Sequence, residues 1–239
     1  MNESMRAAQA GAVDVLDAIN SRFACRRYLD TPVSLVLLRS ILQSAARSAS
    51  SGNLQPWKVY ALSGVPLANL KSEATRLISE VDDWRMLQGQ YPDYPDQLSE
   101  PYLGRREAFG AQLYGALGAD RHDRAARLEQ IQRNFNFFGA PIGLFITIDR
   151  GLGPGQWADL GGYINLVTLA ARAYGIDTCP QVLWTRLHGL VATRLQLPAT
   201  ELLFCGMALG YGDKDHPVNQ IRTCREPVDS FCKFIGFEG

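Results

Sequence analysis

The sequence predicts an α+β protein, or one of the mixed α/β kind, and three observations carry that reading. Its 239 residues are 46% apolar and 20% charged, enough for one sizeable core and too apolar for a disordered chain. Segments with the apolar period of helices are interspersed with three short runs of strand character. No low-complexity linker divides the chain and no internal repeat is visible, so residues 1–239 are expected to form a single domain.

Ala12 to Ser21 carries apolar residues at helical spacing and reads as a first helix. Thr31-Pro32-Val33-Ser34 supplies a turn and an N-cap for a second, Leu35 to Ser48, and Ser50-Ser51-Gly52-Asn53 ends it. Trp57 to Leu62 is strand-like, and Pro66 to Val81 is a helix with proline in its first turn. Over residues 82–120 the periodicity fades while Tyr and Pro crowd in. This is an excursion with short helices. Arg121 to Phe138 regains helical spacing, Ala140-Pro141 stops it, and Ile142 to Asp149 is the most strand-like run of the chain. Trp157 to Tyr174 is apolar on nearly all sides and ends at Gly175, so it reads as a fully buried helix. A shorter helix over Trp184 to Leu195 and a last strand over Glu201 to Tyr211 follow, and residues 212–239 form a tail with no core of its own.

With 24 basic and 24 acidic side chains the net charge is zero, which points away from nucleic acid and anionic membranes as partners. Five cysteines without a Cys-x-x-Cys pair suggest buried free thiols in a reducing compartment. Met1 to Gln9 lacks the apolar run of a signal peptide, and Leu160 to Tyr174, interrupted by Asn165 and Arg172, is too short to span a bilayer. A cytoplasmic protein is expected.

Familiar catalytic patterns fit poorly. Gly151-Leu152-Gly153-Pro154-Gly155 lies between a strand and a helix, but its third glycine comes one residue early and Pro154 removes a backbone donor, so a plain turn is the better reading than a dinucleotide loop. His122, His188 and His216 sit in different segments, and Asp213, Asp215 and His216 read as a solvated turn rather than a metal site.

Four loops are more informative. Ser21-Arg22-Phe23-Ala24-Cys25-Arg26-Arg27-Tyr28 places three arginines after the first helix, and guanidinium forks suit phosphate oxygens. Ser50-Ser51-Gly52-Asn53-Leu54-Gln55-Pro56-Trp57 offers two amides that both donate and accept, as the edge of a flavin or a nucleobase requires. Thr178-Cys179-Pro180-Gln181 follows the buried helix, where free backbone amides can meet a ligand, and Arg222-Thr223-Cys224-Arg225-Glu226-Pro227 lies in the tail.

In this combination and order, together with Ala-Pro-Ile-Gly-Leu-Phe-Ile at 140–146, the chain resembles the FMN-dependent nitroreductase family over about Val13 to Phe237. It is most similar to the branch acting on nitroaromatic carboxylates, which carries the Tyr-Pro-rich excursion and a segment like Asn134-Phe135-Asn136-Phe137-Phe138. The resemblance implies an α+β fold with a mixed sheet flanked by helices, and intertwined homodimers with FMN at each end of the interface. It implies Arg22 and Arg225 on the FMN phosphate, Arg26 at the phosphate or the flavin's polar edge, and backbone contacts from Phe23 and Ala24. Asn53 and Gln55 fall near the ring system or ribityl chain, and Pro180, Gln181, Val182 and Leu183 line the ring where hydride is exchanged. Family members usually have Ser where this chain has Ala24, so only the backbone amide is left there.

The implied activity is reduction of nitroaromatic, quinone or related electron-poor acceptors with NAD(P)H through FMN, with no metal and no catalytic side chain required. The alternatives are other FMN chemistry on the same fold, namely enone reduction, dehalogenation or dehydrogenation, and a flavin-binding module without turnover. The all-round apolar helix and the apolar tail residues Phe231, Phe234, Ile235 and Phe237 independently predict a homodimer, since such surface left bare is an aggregation liability.

Overall fold

Ile142, Leu144, Ile146 and Ile148 alternate along one strand with Phe145, and this period of two sends aliphatic side chains to one face of a sheet and an aromatic one to the other. Both faces are covered. The structure, a computed structural model, describes residues 13–81, 83–120 and 122–237. The helix start at Ala12, the segment Met1 to Gln9, and the boundaries at Asp82 and Arg121 lie outside the described residues.

Four strands, β1 (Lys58–Ser63), β2 (Ile142–Asp149), β3 (Asp177–Gln181) and β4 (Glu201–Gly210), form one sheet in the order β1-β2-β4-β3. Its three ladders are antiparallel, with Phe145 opposite Tyr60 on one side and Gly206 on the other. The parallel element of the mixed sheet is confined to an isolated bridge between Ala24, outside any strand, and Thr178 of β3. The other end of that loop is tied by a second bridge, Tyr28 to Gly212.

On the aliphatic face lie α2 (Leu35–Ala45), whose N-cap Ser34 Oγ accepts from Leu37 N at 3.2 Å, and α6 (Pro154–Ala173). Leu38 and Ile41 from α2 and Leu160, Ile164 and Val167 from α6 pack there against Ile142, Leu144, Ile146 and Met207. The opposite face is covered by α3 (Gly64–Glu80), α5 (Arg124–Phe135) and α7 (His188–Leu195). Leu67, Leu70, Ala74 and Ile78 of α3 repeat at helical spacing and bury against Phe135, Phe137, Phe145 and Trp184. A Cβ at Gly206 would come within 2.4 Å of the Trp184 ring, so only glycine lets the indole lie on β4 there.

The first helix forms as expected, and two further sequence expectations are revised. The first helix, α1 (Val15–Ser21), buries only Ala18, and its apolar residues Val15, Leu16 and Ile19 face outward. Helix α6 is not buried all round: Leu160, Tyr163, Ile164, Val167 and Ala171 point inward, whereas Gly161, Gly162 and Asn165 are exposed. The excursion contains a four-turn helix, α4 (Tyr102–Ala116), and none of its residues is buried.

Candidate functional site

At the end of α1 the helix stops on Arg22, whose N–H still reaches Ala18 O at 3.0 Å, and the chain then extends beside β3. Cys25 donates its N–H to Thr178 O at 3.0 Å and is fully buried. With Cys25 and Tyr28 facing inward, Arg22, Phe23, Ala24 and Arg26 line a cleft of about 950 Å³. Asn165 and Leu169 of α6, Phe109 of α4, and Ile221 to Thr223 with Arg225 of the tail complete its lining.

Four guanidinium groups, from Arg22, Arg26, Arg222 and Arg225, line this cleft, and among the described residues no carboxylate does. The loops that carry them are tied together by the buried side chain of Asn219. Its Oδ1 accepts from Arg26 N at 2.8 Å, and its Nδ2 donates to Arg27 O and Asp213 O at 2.7 Å each. Arg222 donates to Asn219 O at 2.8 Å and stacks over Phe23, 4.5 Å from the ring centroid. Arg26 donates to Ala24 O at 3.2 Å and lies 5.0 Å from the Phe109 centroid. Arg225 donates to Thr223 Oγ1 at 2.7 Å and to Cys224 O at 3.0 Å. Such a set attracts a multiply charged anion, because each planar fork can offer two parallel donors to a phosphate.

Asn53 and Gln55 are held elsewhere in the same chain. They line a separate depression of about 410 Å³ with Arg47 and Ser48. Their loop is strained: Gly52, Asn53 and Gln55 have φ of 58°, 57° and 48°. Strain of this kind persists where the surroundings over-determine the backbone, and it clusters at ligand sites. Here Asp159 Oδ2 accepts from Ser51 N at 3.1 Å, Ser50 Oγ accepts from Gln55 N at 3.0 Å, and Trp57 stacks on Tyr163 with centroids 4.7 Å apart. Helix α6 therefore carries both sites. Its Asp159 grips the amide loop, and Asn165, six residues or about 9 Å along the axis, faces the arginine cleft.

The Pro180 to Leu183 segment divides. Pro180 and Val182 are exposed, Pro180 at the edge of the sheet, and Leu183 packs partly on the aromatic core. Gln181 turns inward and is only 2% exposed; its Nε2 donates to Asn134 O at 2.6 Å and Asn134 Oδ1 at 3.0 Å, which anchors the end of α5. Its Oε1 is buried without a partner among the described residues. The side chain of Gln181 thus holds β3 to α5, and only its backbone reaches the edge.

Among the described residues no thiol, histidine or carboxylate lines the cleft. Burial pushes the Cys25 thiol up to about 12, opposed by its hydrogen bond to Arg27 O, and burial raises Cys179 as well. Tyr163 is likewise pushed up to about 12 by burial. His216 Nδ1 accepts from Val218 N and Asp213 Oδ1 from Asp215 N, so that turn is closed on itself, and no metal-binding grouping occurs among the described residues. The 151–155 loop is a turn, with Gly151 N donating to Asp149 Oδ1 at 2.8 Å and Pro154 opening α6. Three thiols are buried, as the sequence suggests, but Cys224 is exposed beside Arg225. Arg222, Phe109 and Asn165 join the site beyond the residues expected there. Arg222 was legible three positions before Arg225, whereas Phe109 and Asn165 carry no local signal.

A helix-covered sheet with an arginine cleft beside its β3 edge and a strained amide loop across α6 defines an α+β protein built to hold an anionic ligand. Sequence comparison supplies the family: its profile, the Nitroreductase family, matches residues 19–211, and the chain belongs to it. The chain is 36% identical over 222 residues to the nitrobenzene nitroreductase of Ectopseudomonas oleovorans, covering 92% of this chain and 96% of that protein. It is 36% identical over 226 residues to the 4-nitrobenzoate reductase of Pseudomonas putida, covering 94% and 97%. Among solved structures it is similar to the FMN and NADPH-dependent nitroreductase NfnB of Sphigopyxis sp. strain HMH, with a TM-score of 0.89, 34% identity, and coverage of 94% and 100%. Among the described residues no helix is long and apolar enough to cross a membrane.

Proposed function

We propose that this protein is an FMN-dependent oxidoreductase that uses NAD(P)H to reduce nitroaromatic, quinone or related electron-poor acceptors by alternating hydride transfers. The observation that carries the reading is the cleft with four guanidinium groups and, among the described residues, no carboxylate; its Ala24 bridges Thr178 on the β3 edge, two residues before the exposed Pro180. This donor set fits FMN. Arg22 and Arg225 hold the phosphate dianion, Arg26 lies beside them, and Phe23 and Ala24 contribute backbone. The backbone of Pro180 and Gln181, with Val182 and Leu183, lines the ring. When bound, FMN supplies the two-electron chemistry, which accounts for a site without a protein nucleophile or base. Amide donors toward the ring's polar edge stabilise negative charge on the reduced cofactor.

Asn53 and Gln55 complete the site from a second subunit in this reading. Within one chain they lie across α6 from the arginines, and a homodimer packed on the outer faces of α1 and α6 brings one chain's amide loop to the other's cleft. Exposed Val15, Leu16 and Ile19, together with Phe231, Phe234, Ile235 and Phe237, supply the apolar surface for it. The chain acts as one domain, with the excursion over the acceptor pocket and the tail embracing the partner. Its reduced thiols suit a cytoplasmic enzyme. Heat release of the bound flavin followed by chromatography tests the assignment. FMN is expected; recovery of FAD, or a colourless protein that does not take up added FMN, overturns it.

A further inference from the structure

The two arms of the arginine cleft come from distant stretches of chain, Arg22 from the loop after α1 and Arg222 and Arg225 from the tail. One part of the first arm is held by β3, through the Ala24–Thr178 bridge and the Cys25 N–H on Thr178 O. The next two residues are held by a side chain instead. A primary amide carries the donor and the acceptor of a peptide group, so it can pair with backbone as a strand does. Asn219, 2% exposed, pairs in this way: its Oδ1 accepts from Arg26 N at 2.8 Å and its Nδ2 donates to Arg27 O at 2.7 Å. The second Nδ2 proton goes to Asp213 O at 2.7 Å, and the Asn219 carbonyl accepts from Arg222 at 2.8 Å. One buried residue therefore touches both the loop that carries Arg22 and the tail arginine three positions before Arg225.

We infer that Asn219 is a positioning residue for the cofactor phosphate: its side-chain amide sets the loop after α1 and the tail loop at the separation at which Arg22 and Arg225 close on the same dianion. The inference rests on the reading of the cleft as an FMN site. Two arms that meet on one ligand bind it tightly when their spacing is set beforehand, because ordering them during binding costs affinity. Removing the amide takes a partner from Arg26 N, Arg27 O and Asp213 O at once and releases that spacing.

The test is fluorescence titration of the full-length protein, stripped of flavin, with FMN and with riboflavin, the same flavin without the phosphate. Whatever a shift of the loop costs the ring is common to both flavins, whereas the spacing of the arms matters to FMN alone. Asn219→Ala is expected to weaken FMN binding roughly ten- to hundredfold and riboflavin binding by clearly less. Asn219→Asp keeps the size and the acceptor for Arg26 N but turns an oxygen toward two carbonyls, so it does not restore FMN affinity. In an Arg225→Ala background Asn219→Ala costs less than in wild type, since with one arm gone there is no spacing left to lose. Should Asn219→Ala fail to fold, Asn219→Ser, which keeps a hydroxyl, carries the same comparisons. Equal weakening of both flavins, full FMN affinity in Asn219→Asp, or losses that simply add to that of Arg225→Ala overturn the inference. Failure of the underlying reading looks different: wild-type protein would then bind FMN no better than riboflavin.

Discussion

Arg225 and Arg27 are two arginines in opposite circumstances. Arg225 lines the cleft, while Arg27 is exposed and its carbonyl accepts from Asn219, Asp213 and Cys25. Arg225→Ala should therefore weaken FMN binding by about 1.5–3 kcal/mol, tenfold to more than a hundredfold, with little change in Arg27→Ala. Equal dissociation constants for the two variants would refute the assignment. A second residue sets an acid limit on the fold. Burial pushes the Glu201 carboxyl up, but donors from Thr147 at 2.6 Å and from Lys58 and Tyr60 at 3.0 Å outweigh it and hold it below its ordinary value. A carboxyl depressed in the folded state contributes stability that is complete above its unfolded pKa, about 4.3, and is lost as pH falls through the lower folded value. Glu201→Gln should thus be less stable than wild type by about 1–3 kcal/mol at pH 7, and thermal melts should show the gap closing below about pH 4. A gap independent of pH contradicts this. At this scale the sequence was readable wherever chemistry clusters: Arg22, Arg26 and Arg225 converge as expected. What the sequence does not announce is that strand alternation turns the Gln181 side chain in while its neighbour Pro180 faces out.

The elements show why parts of the fold were hidden. Helices α2 and α3 announce themselves because they bury a stripe at helical spacing, and β2 because it is apolar on both faces. Strand β3 has five residues and a proline, and the sheet contacts that define it come from Ala208 and Leu209, thirty residues away. Helix α4 has no periodic signal because it buries nothing in its own chain. The excursion is also divided by its anchors. Arg186 donates to Leu87 O at 2.7 Å and to Asp93 at 3.1 Å, Tyr91 OH donates to Phe204 O, and Gln90 Oε1 accepts from Leu203 N at 2.9 Å. Residues 84–93 are therefore strapped to β4 and the Val182–Leu187 turn, while those beyond carry the exposed Tyr94 and Tyr102. Replacing residues 94–101 with a Gly-Ser loop should keep FMN bound and shift the ranking of nitroaromatic against quinone acceptors by more than it changes flavin reduction by NADPH. Stopped-flow measurement of both half-reactions decides it; an unchanged ranking makes the excursion purely structural.

For the whole molecule, the surface left bare by one chain is the argument for two. Val15, Leu16, Phe231, Ile235 and Phe237 are each more than 60% exposed, and a monomer would carry that surface as an aggregation liability. Light scattering at micromolar concentration should give twice the chain mass, and a well-folded monomer with FMN bound would contradict the two-subunit site. The apolar character of α6 was legible in the sequence, but not that half of it serves the chain's own core and the other half faces outward, because composition does not distinguish a core from an interface. The central claim is that the arginine cleft makes this fold a carrier of reducible FMN. Its most direct test is the absorption spectrum of the purified protein, recorded without oxygen before NADPH, after NADPH, and after a nitroaromatic acceptor. The account predicts a flavin spectrum that NADPH bleaches and the acceptor restores; a flavin that NADPH leaves oxidised, or one that the acceptor cannot reoxidise, would contradict it.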